Sequence, residues 1–432
     1  MGGLGGLALL LLLQGAAPAP VEPDSLPQIT LAEALQRAAQ LDPNYVAALG
    51  QVDNAVWARR NAFAVFILPS VTIGTTFQWQ NPPGFSVVPL RKLVAANLSA
   101  SYDLFTGGQK VAELSRSAAG LDSAHAGELA ARFNTAMQTE STYYAVLAGA
   151  ELDRVASERL RRARQQLAVA RARVSSGAAV STDSLNLRLE MTRAEVGALE
   201  QASSLRLARL QLGRKVGAPG PVDAVPLDTQ PMPELPLSLA DAITQASVQG
   251  PQYRIAAARE RAASAIYRSQ LGSYLPKATL TFNAFAADTM FYPKFFKQTS
   301  FVLGVSLPIW NNGQRELALS RARVNRDVAR AFREDMDRGV QHDVTAAYDR
   351  YVTARASTAL AEQGLTVARE SFRVQQTRYS SGATTILDLL DAEVNLSQAE
   401  ADLVQARYGT RLALAGLESI LGKRLFTDKG TP

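Results

Sequence analysis

The sequence predicts a mixed α/β protein, mainly α, that is internally duplicated and supplies four antiparallel strands beside long coiled-coil helices. Three observations predict it. The first is a repeat: RYSSGATTILDLLDAEVNLSQAE at Arg378–Glu400 echoes RVSSGAAVSTDSLNLRLEMTRAE at Arg173–Glu195, with an offset of 382 − 177 = 205 between the tip glycines. Repeats are read before anything else because they set the architecture. The second is spacing. Leu160, Ala163, Leu167, Ala170 and Val174 step by three and four, and Leu365, Ala368, Phe372, Gln375 and Tyr379 step identically. Such steps mark a coiled-coil seam with a period of about 3.5. Beyond each glycine the seam is expected to resume at Leu185, Leu189, Thr192, Val196 and Leu199, and at Leu390, Val394, Ser397, Ala401 and Val404. The third is alternation with period two in two short stretches of each half, which marks strands with one apolar and one polar face.

Composition narrows the chemistry. The 432 residues are 47% hydrophobic and 19% charged, ordinary values for a folded protein. There are no cysteines, which excludes disulfides, thiolate metal sites, cysteine nucleophiles and an acylated amino-terminal cysteine. The net charge of +6 is spread among acids along helices, so it reads as solvated helix surface and not as a nucleic-acid face. The two histidines, His125 and His342, are not equivalent under the repeat, and neither G-x-S-x-G nor H-E-x-x-H occurs. No enzyme, metal site or cofactor is expected. Residues 1–17, with an apolar core at Leu7–Leu13 before Gly15-Ala16-Ala17, resemble a secretory signal that lacks a basic start. No later stretch reaches the roughly 18 apolar residues of a membrane-spanning helix.

In order, a Pro-rich segment at 18–29 leads into a first repeat at 30–216. Thr30 and Glu33 form a Thr-x-x-Glu capping box. Pro43 and Pro251 each close one short helix and open the next. Strands are expected at about 70–80 and 93–104, with Val71, Ile73, Thr75, Phe77 and Trp79 on one face of the first. The turn-rich loop NPPGFSVVP lies between them, and the glycine turn LFTGGQ follows. A long helix then covers 109–176 and a return helix 182–213. At 1.5 Å per residue the long helix is a rod of about 100 Å. The Pro/Gly stretch 217–236 is a linker. The second repeat, 237–422, carries strands at about 277–287 and 299–309, the turn IWNNGQ, a long helix at 314–381 and a return helix at 386–421. An irregular tail occupies 423–432.

Strands of about ten residues with dyad polarity suit an outer-membrane barrel. Phe77, Trp79 and Tyr102 fall near strand ends, as interfacial aromatics do. Four strands cannot close a barrel, since the smallest have about eight, and an open edge in lipid leaves backbone groups unpaired. The chain therefore has to oligomerise if its sheet is in a membrane, and strand parity alone allows a dimer or a trimer. The competing reading is a periplasmic coiled-coil adaptor or scaffold without a pore.

At this point the chain resembles the TolC-like outer-membrane efflux protein family. The resemblance rests on the element order repeated twice, on LPS and LPK before the first strand of each half, on the LFTGGQ and IWNNGQ turns, and on YSSG…DLLDAE. It implies a homotrimer with a 12-stranded transmembrane β-barrel, a periplasmic α-helical tunnel, and a belt built from linker and terminal segments. It implies a passive exit duct in outer-membrane lipid, serving an inner-membrane transporter of a tripartite pump or type I secretion system through a periplasmic adaptor. It also implies an aspartate ring closing the periplasmic end, at Asp388 and Asp391, with Asp183 matching in the first repeat and Asn186 replacing its second acid. Tyr379 matches a tether position. Thr384 stands where the family commonly has arginine, which leaves Arg378, Arg188 or a looser closed state as alternatives. Ser175, Ser176, Gly177, Ser380, Ser381 and Gly382 match the tip surface that meets the adaptor. The Arg159, Arg161, Arg162 and Arg164 cluster faces either the lumen or neighbouring acids.

Overall fold

The structure is a computed structural model that describes residues 26–79, 92–227, 231–289 and 296–426. The expected signal segment, the loop NPPGFSVVP, part of the second strand-to-strand loop and the end of the tail lie outside the described residues.

Each half begins with two short helices broken at a proline. In the first half these are α1 (Leu31–Leu41) and α2 (Pro43–Ile67). Thr30 Oγ1 accepts from the Glu33 amide at 3.3 Å, which satisfies one of the orphan donors at the helix start. Asp42 closes α1 and caps α2, accepting from the Asn44 and Tyr45 amides and from Lys215 Nζ at 2.6 Å. Two strands follow, β2 (Ser70–Trp79) and β3 (Lys92–Phe105), then α3 (Gln109–Ser175) and α4 (Ser181–Lys215). The second half repeats the order as α5 (Leu239–Gln249), α6 (Pro251–Gly272), β5 (Lys277–Asp288), β6 (Phe296–Ser306), α7 (Gln314–Ser380) and α8 (Ile386–Leu421). Both α3 and α7 have 67 residues, about 100 Å of rod each. The last strand differs from the expectation of 299–309. It ends at Ser306, because Pro308 supplies no ladder N–H, and Leu307 and Ile309 fall in the turn.

The four long strands form one antiparallel sheet in the order β2-β3-β5-β6. Its register collects the apolar residues on one face. Val71 pairs with Ala100, Ala100 with Phe282 and Phe282 with Phe301. The next row of that face joins Tyr102, Leu280 and Leu303. The opposite face carries Thr72, Ser99, Asn283 and Ser300 in one row. Thr72 and Ser99 hydrogen-bond across the polar face at 2.6 Å. Ile73 and Phe301, on the apolar face, remain 82% and 76% exposed within the chain. Among the described residues much of that face stays exposed, Val94 being buried and Tyr102 Oη donating to Phe66 O of α2 at 2.8 Å, and β2 and β6 are the edges of the sheet.

A second, parallel pair joins β1 (Gln28–Ile29) to β4 (Asp223–Ala224), so the amino-terminal segment and the linker lie together. The described parts of the linker are docked on the long helices. Tyr143 Oη on α3 donates to Val225 O at 2.7 Å, and on α7 Tyr351 Oη donates to Pro233 O at 2.6 Å.

The coiled-coil seam needs one correction. On the outgoing helices Ala163, Leu167, Ala170, Leu365, Phe372 and Tyr379 are buried where the spacing puts them. On the return helix α4 the buried stripe is instead Leu187, Glu190, Ala194 and Leu205. The expected residues Leu185, Leu189, Val196 and Leu199 are between 50% and 69% exposed. On the first turns of α8 the buried residues are Ile386, Leu389, Ala392, Glu393 and Leu396, with Val394 exposed, while farther along Val404 is buried as the spacing expects. A helix with two apolar stripes can bury only one against its hairpin partner, and spacing alone does not say which.

Candidate functional site: the hairpin tips

The α3–α4 and α7–α8 hairpins end side by side. Each reverses through a glycine in the left-handed region, Gly177 at φ 75° and Gly382 at φ 79°. Ala178 N donates to Arg173 O, and Ala383 N donates to Arg378 O, both at 2.8 Å. This six-to-one bond is the Schellman closure that an αL residue permits. Beneath the tips, Leu167, Ala170 and Leu187 of the first hairpin pack with Phe372, Tyr379 and Leu389 of the second.

The four tip serines have a local explanation. Ser175 Oγ donates to Ala172 O, Ser176 Oγ to Arg173 O, Ser380 Oγ to Thr377 O and Ser381 Oγ to Arg378 O, at 2.7–3.0 Å. Each hydroxyl adds a second donor to a last-turn carbonyl that already accepts a backbone N–H. The repeated Ser-Ser therefore follows from these local bonds and by itself points to no partner. All four serines and both glycines are exposed.

Asp388 begins α8 as the third residue of a capping box. Its carboxylate accepts from Thr385 Oγ1 at 2.6 Å, Thr384 Oγ1 at 2.7 Å and the Thr385 amide at 3.1 Å. These bonds, Thr385's hydroxyl first, hold the Asp388 carboxyl below the usual carboxylate range. Thr384 is thus spent on Asp388 and does not reach the other hairpin. Asp391 lies one turn further and accepts from Asn395 Nδ2 at 3.1 Å. Both acids are exposed, on one side of the helix.

Tyr379 is 4% exposed, and the acid beside its hydroxyl is Asp183 of the other hairpin. Burial, and then the charge of Asp183, push its pKa up. Asp183 on α4 therefore lies near Tyr379.

Sequence reasoning missed Arg173. From the last turn of α3 its guanidinium sits 5.0 Å from the centre of the Tyr379 ring. Its Nη1 donates to Tyr379 O on the other hairpin, and its Nη2 to Ala178 O at 3.3 Å on its own tip. The repeat held the signal, because Arg173 corresponds to Arg378 at 173 + 205 = 378. Arg378 makes the equivalent own-tip bond, Nη2 to Ala383 O at 3.4 Å. Arg188, the other candidate tether, is exposed on α4.

Farther up the bundle all four arginines of the basic cluster are paired. Arg159 meets Glu190 at 2.5 Å, Arg161 meets Glu158 at 2.7 Å, Arg162 meets Glu393 at 2.9 Å and Arg164 meets Glu195 at 3.6 Å. Glu393 is 1% exposed, and its burial pushes its carboxyl up against the pull of Arg162. Arg159, Arg162 and Arg164 pair across helices, and Arg161 pairs within α3. No group of acids and histidines among the described residues could hold a metal ion. No helix among them is long and apolar enough to cross a membrane, which bears on helices and not on the sheet.

Comparison with known proteins adds four findings. The sequence model of the family described as outer membrane efflux protein matches residues 242–423. The pyoverdine export outer membrane protein OpmQ of Pseudomonas putida is 27% identical over 353 residues, covering 78% of this chain and 72% of its own. The outer membrane protein TolC of Escherichia coli is 28% identical over 137 residues, 32% of this chain and 28% of its own. Among solved structures, CusC superposes with a TM-score of 0.80 at 17% identity, covering 92% of this chain and 93% of its own, a likeness of fold.

Proposed function

The chain belongs to the outer membrane efflux protein family, and from that premise we propose that it is the outer-membrane exit duct of a multi-component exporter. It resides in the outer membrane with its helical part in the periplasm. The observation that carries the proposal is the single four-stranded sheet with one apolar face, joined end-on to helical hairpins of about 100 Å. A soluble adaptor has no use for a largely exposed apolar sheet face with two free edges. A barrel strand needs both features, one facing lipid and the other pairing with the next copy.

Three copies of four strands give a twelve-stranded barrel, above the minimum of about eight, and the same three copies close their hairpins into a tube. The duct is passive. It supplies a water-filled path, while energy and choice of cargo belong to an inner-membrane transporter coupled through a periplasmic adaptor. The family is one of transport channels. Residues 30–216 and 237–422 are the two efflux repeats.

At the periplasmic end, Asp388 and Asp391 from three protomers make six carboxylates around a narrow opening, with Asp183 behind them. Such a ring attracts cations and opposes the free passage of anions. The exposed tips at Ser175–Gly177 and Ser380–Gly382 are the adaptor surface. Their small side chains permit close approach of a partner's helical hairpin.

A photo-crosslinking residue at Ser381 in the native cell tests the proposal. Capture of a periplasmic hairpin protein that copurifies with an inner-membrane transporter is the expected result. Capture of the chain's own neighbours alone, with the protein in the outer membrane, overturns the tip assignment. Recovery of the protein in the soluble fraction overturns the duct.

A further inference from the structure

We propose that Phe285 and Phe296 form a binding site for uncharged aromatic solutes on the water-filled side of the sheet, at its outer end, where lipophilic cargo rests as it leaves. The inference rests on reading the polar face of the sheet as the inner wall of a duct.

Register carries the placement. Phe285 on β5 pairs with Gln298 on β6, and Phe296 pairs with Ala287. Both phenylalanines therefore lie on the face that carries Thr72, Ser99, Asn283 and Ser300. In a barrel an outward phenylalanine meets lipid, whereas an inward one meets water. The two rings touch edge to face, with centroids 6.3 Å apart. They shield each other only in part, since Phe285 stays 38% exposed and Phe296 49%. The helices join the sheet where β5 begins, at Lys277, and where β6 ends, at Ser306. The pair sits at the other end, and with the helices in the periplasm that end is the outer mouth.

The rest of the face decides what the pair takes. Its charged residues among the described strands are Asp103 and Lys277, both at the helical end. A band of serine, threonine and asparagine follows, and at the outer end even this polarity fades, because Thr76, Ala95, Ala287 and Phe296 share one row. The wall there offers no charge to an ionic solute and two rings to an aromatic one. Edge and face contacts with an aromatic partner are what such a pair supplies. A cross-strand aromatic pair also steadies a sheet. Phe282 and Phe301, 4.9 Å apart on the apolar face, already supply that where lipid receives them. Eight strands leave room for little more than their own side chains, and twelve leave an open lumen. The phenylalanines of three copies therefore line the mouth without plugging it.

The test places a reporter beside the pair. The chain has no cysteine, so Gln298→Cys carries a single bimane next to Phe285 on the polar face. Purified full-length oligomer in lipid nanodiscs is titrated with nitrobenzyl alcohol, an uncharged aromatic quencher, and with acrylamide, which is uncharged and not aromatic. Survival of the oligomer in cold SDS is the control for folding. Quenching by the aromatic compound is expected to saturate, and quenching by acrylamide to rise without saturating. Phe285→Ser with Phe296→Ser should weaken the apparent affinity for the aromatic quencher about tenfold, the ratio that two ring contacts amount to, and leave acrylamide quenching unchanged. Phe285→Tyr with Phe296→Tyr should keep the affinity, and a bimane at Ser99→Cys, midway down the same face, should show no saturation. No saturation at Gln298→Cys, an unchanged affinity in the double serine variant, or equal saturation at Ser99→Cys overturns the site. A Gln298→Cys bimane quenched by doxyl-labelled lipid and not by acrylamide puts the polar face in lipid and overturns the duct reading instead.

Discussion

At the residue scale, Asp388 is pulled in two directions. In the protomer, donors from Thr385 and Thr384 favour its carboxylate and lower its pKa. In the proposed ring of six acids, like-charge repulsion would raise it. The sign of the local effect is clear. A carboxyl lowered in the folded state has its cap in place above the ordinary value and loses it as pH falls through the lowered one. Hydrogen exchange at the first turn of α8 should therefore stay slow on acidification to the ordinary carboxylate range and rise below it, and Asp388→Ala should remove that dependence. Glu393 is the opposite case, a buried acid held by Arg162 and Gln166. Glu393→Ala leaves a guanidinium that is 13% exposed with only Glu400 at 3.4 Å, and should cost about 3–5 kcal/mol in thermal or denaturant unfolding.

At the element scale, tyrosines lash the linker to the long helices at equivalent points of the repeat. Tyr143 donates to Val225 O, and Tyr348, its partner at 143 + 205 = 348, donates to Leu237 O at 3.5 Å. Burial raises the Tyr143 pKa to about 12. Tyr143→Phe should cost about 1 kcal/mol and speed proteolysis of the linker, because the buried carbonyls of Ile29 and Val225 lose a donor. The strand-to-helix turns repeat as well, though not residue for residue. Gly107 and Gly108 take φ 61° and 81°, and the equivalent positions are Asn312 at 56° and Gly313 at 75°. Asparagine tolerates the left-handed region, so it suffices in the second half. Gly107 cannot be replaced in the same way, because a Cβ there would run into the Gly272 carbonyl at the end of α6. The approach is mutual, and Gly272→Ala should cost about 1–3 kcal/mol and lower the yield of oligomer extracted from membranes.

At the scale of the whole molecule, the unsatisfied surfaces agree on one remedy. The sheet has edges at β2 and β6 and a largely exposed apolar face. All four strands alternate in direction, so β6 of one copy can pair antiparallel with β2 of the next and close a barrel of even strand number. The exposed stripe Leu185, Leu189, Val196 and Leu199 on α4 likewise fits a neighbouring copy. Because the chain has no cysteine, Thr72→Cys with Ser300→Cys creates the only thiols present. A bis-maleimide should then give a ladder that stops at three chains on a denaturing gel. A ladder that ends at two, or continues past three, would remove the twelve-stranded barrel.

Much of this was legible in the sequence, because it follows from local rules. Periods of two and of three-and-four are stated by the side chains themselves. So are the prolines at 43 and 251, the tip glycines and the Thr30 cap. The offset of about 205 residues turned one reading into two. The sequence could not say which of two apolar stripes on α4 is buried, because both have helical spacing and only the packing partner chooses. Nor could it single out Arg173, one of many arginines on α3, whose meaning depends on a ring 206 residues away. The same holds for the tip serines, whose hydroxyls bond to last-turn carbonyls in a way that no spacing states. Local patterns decide which elements form. The three-dimensional arrangement decides which side chains meet across the two hairpins, because those contacts join residues that no period in the chain connects.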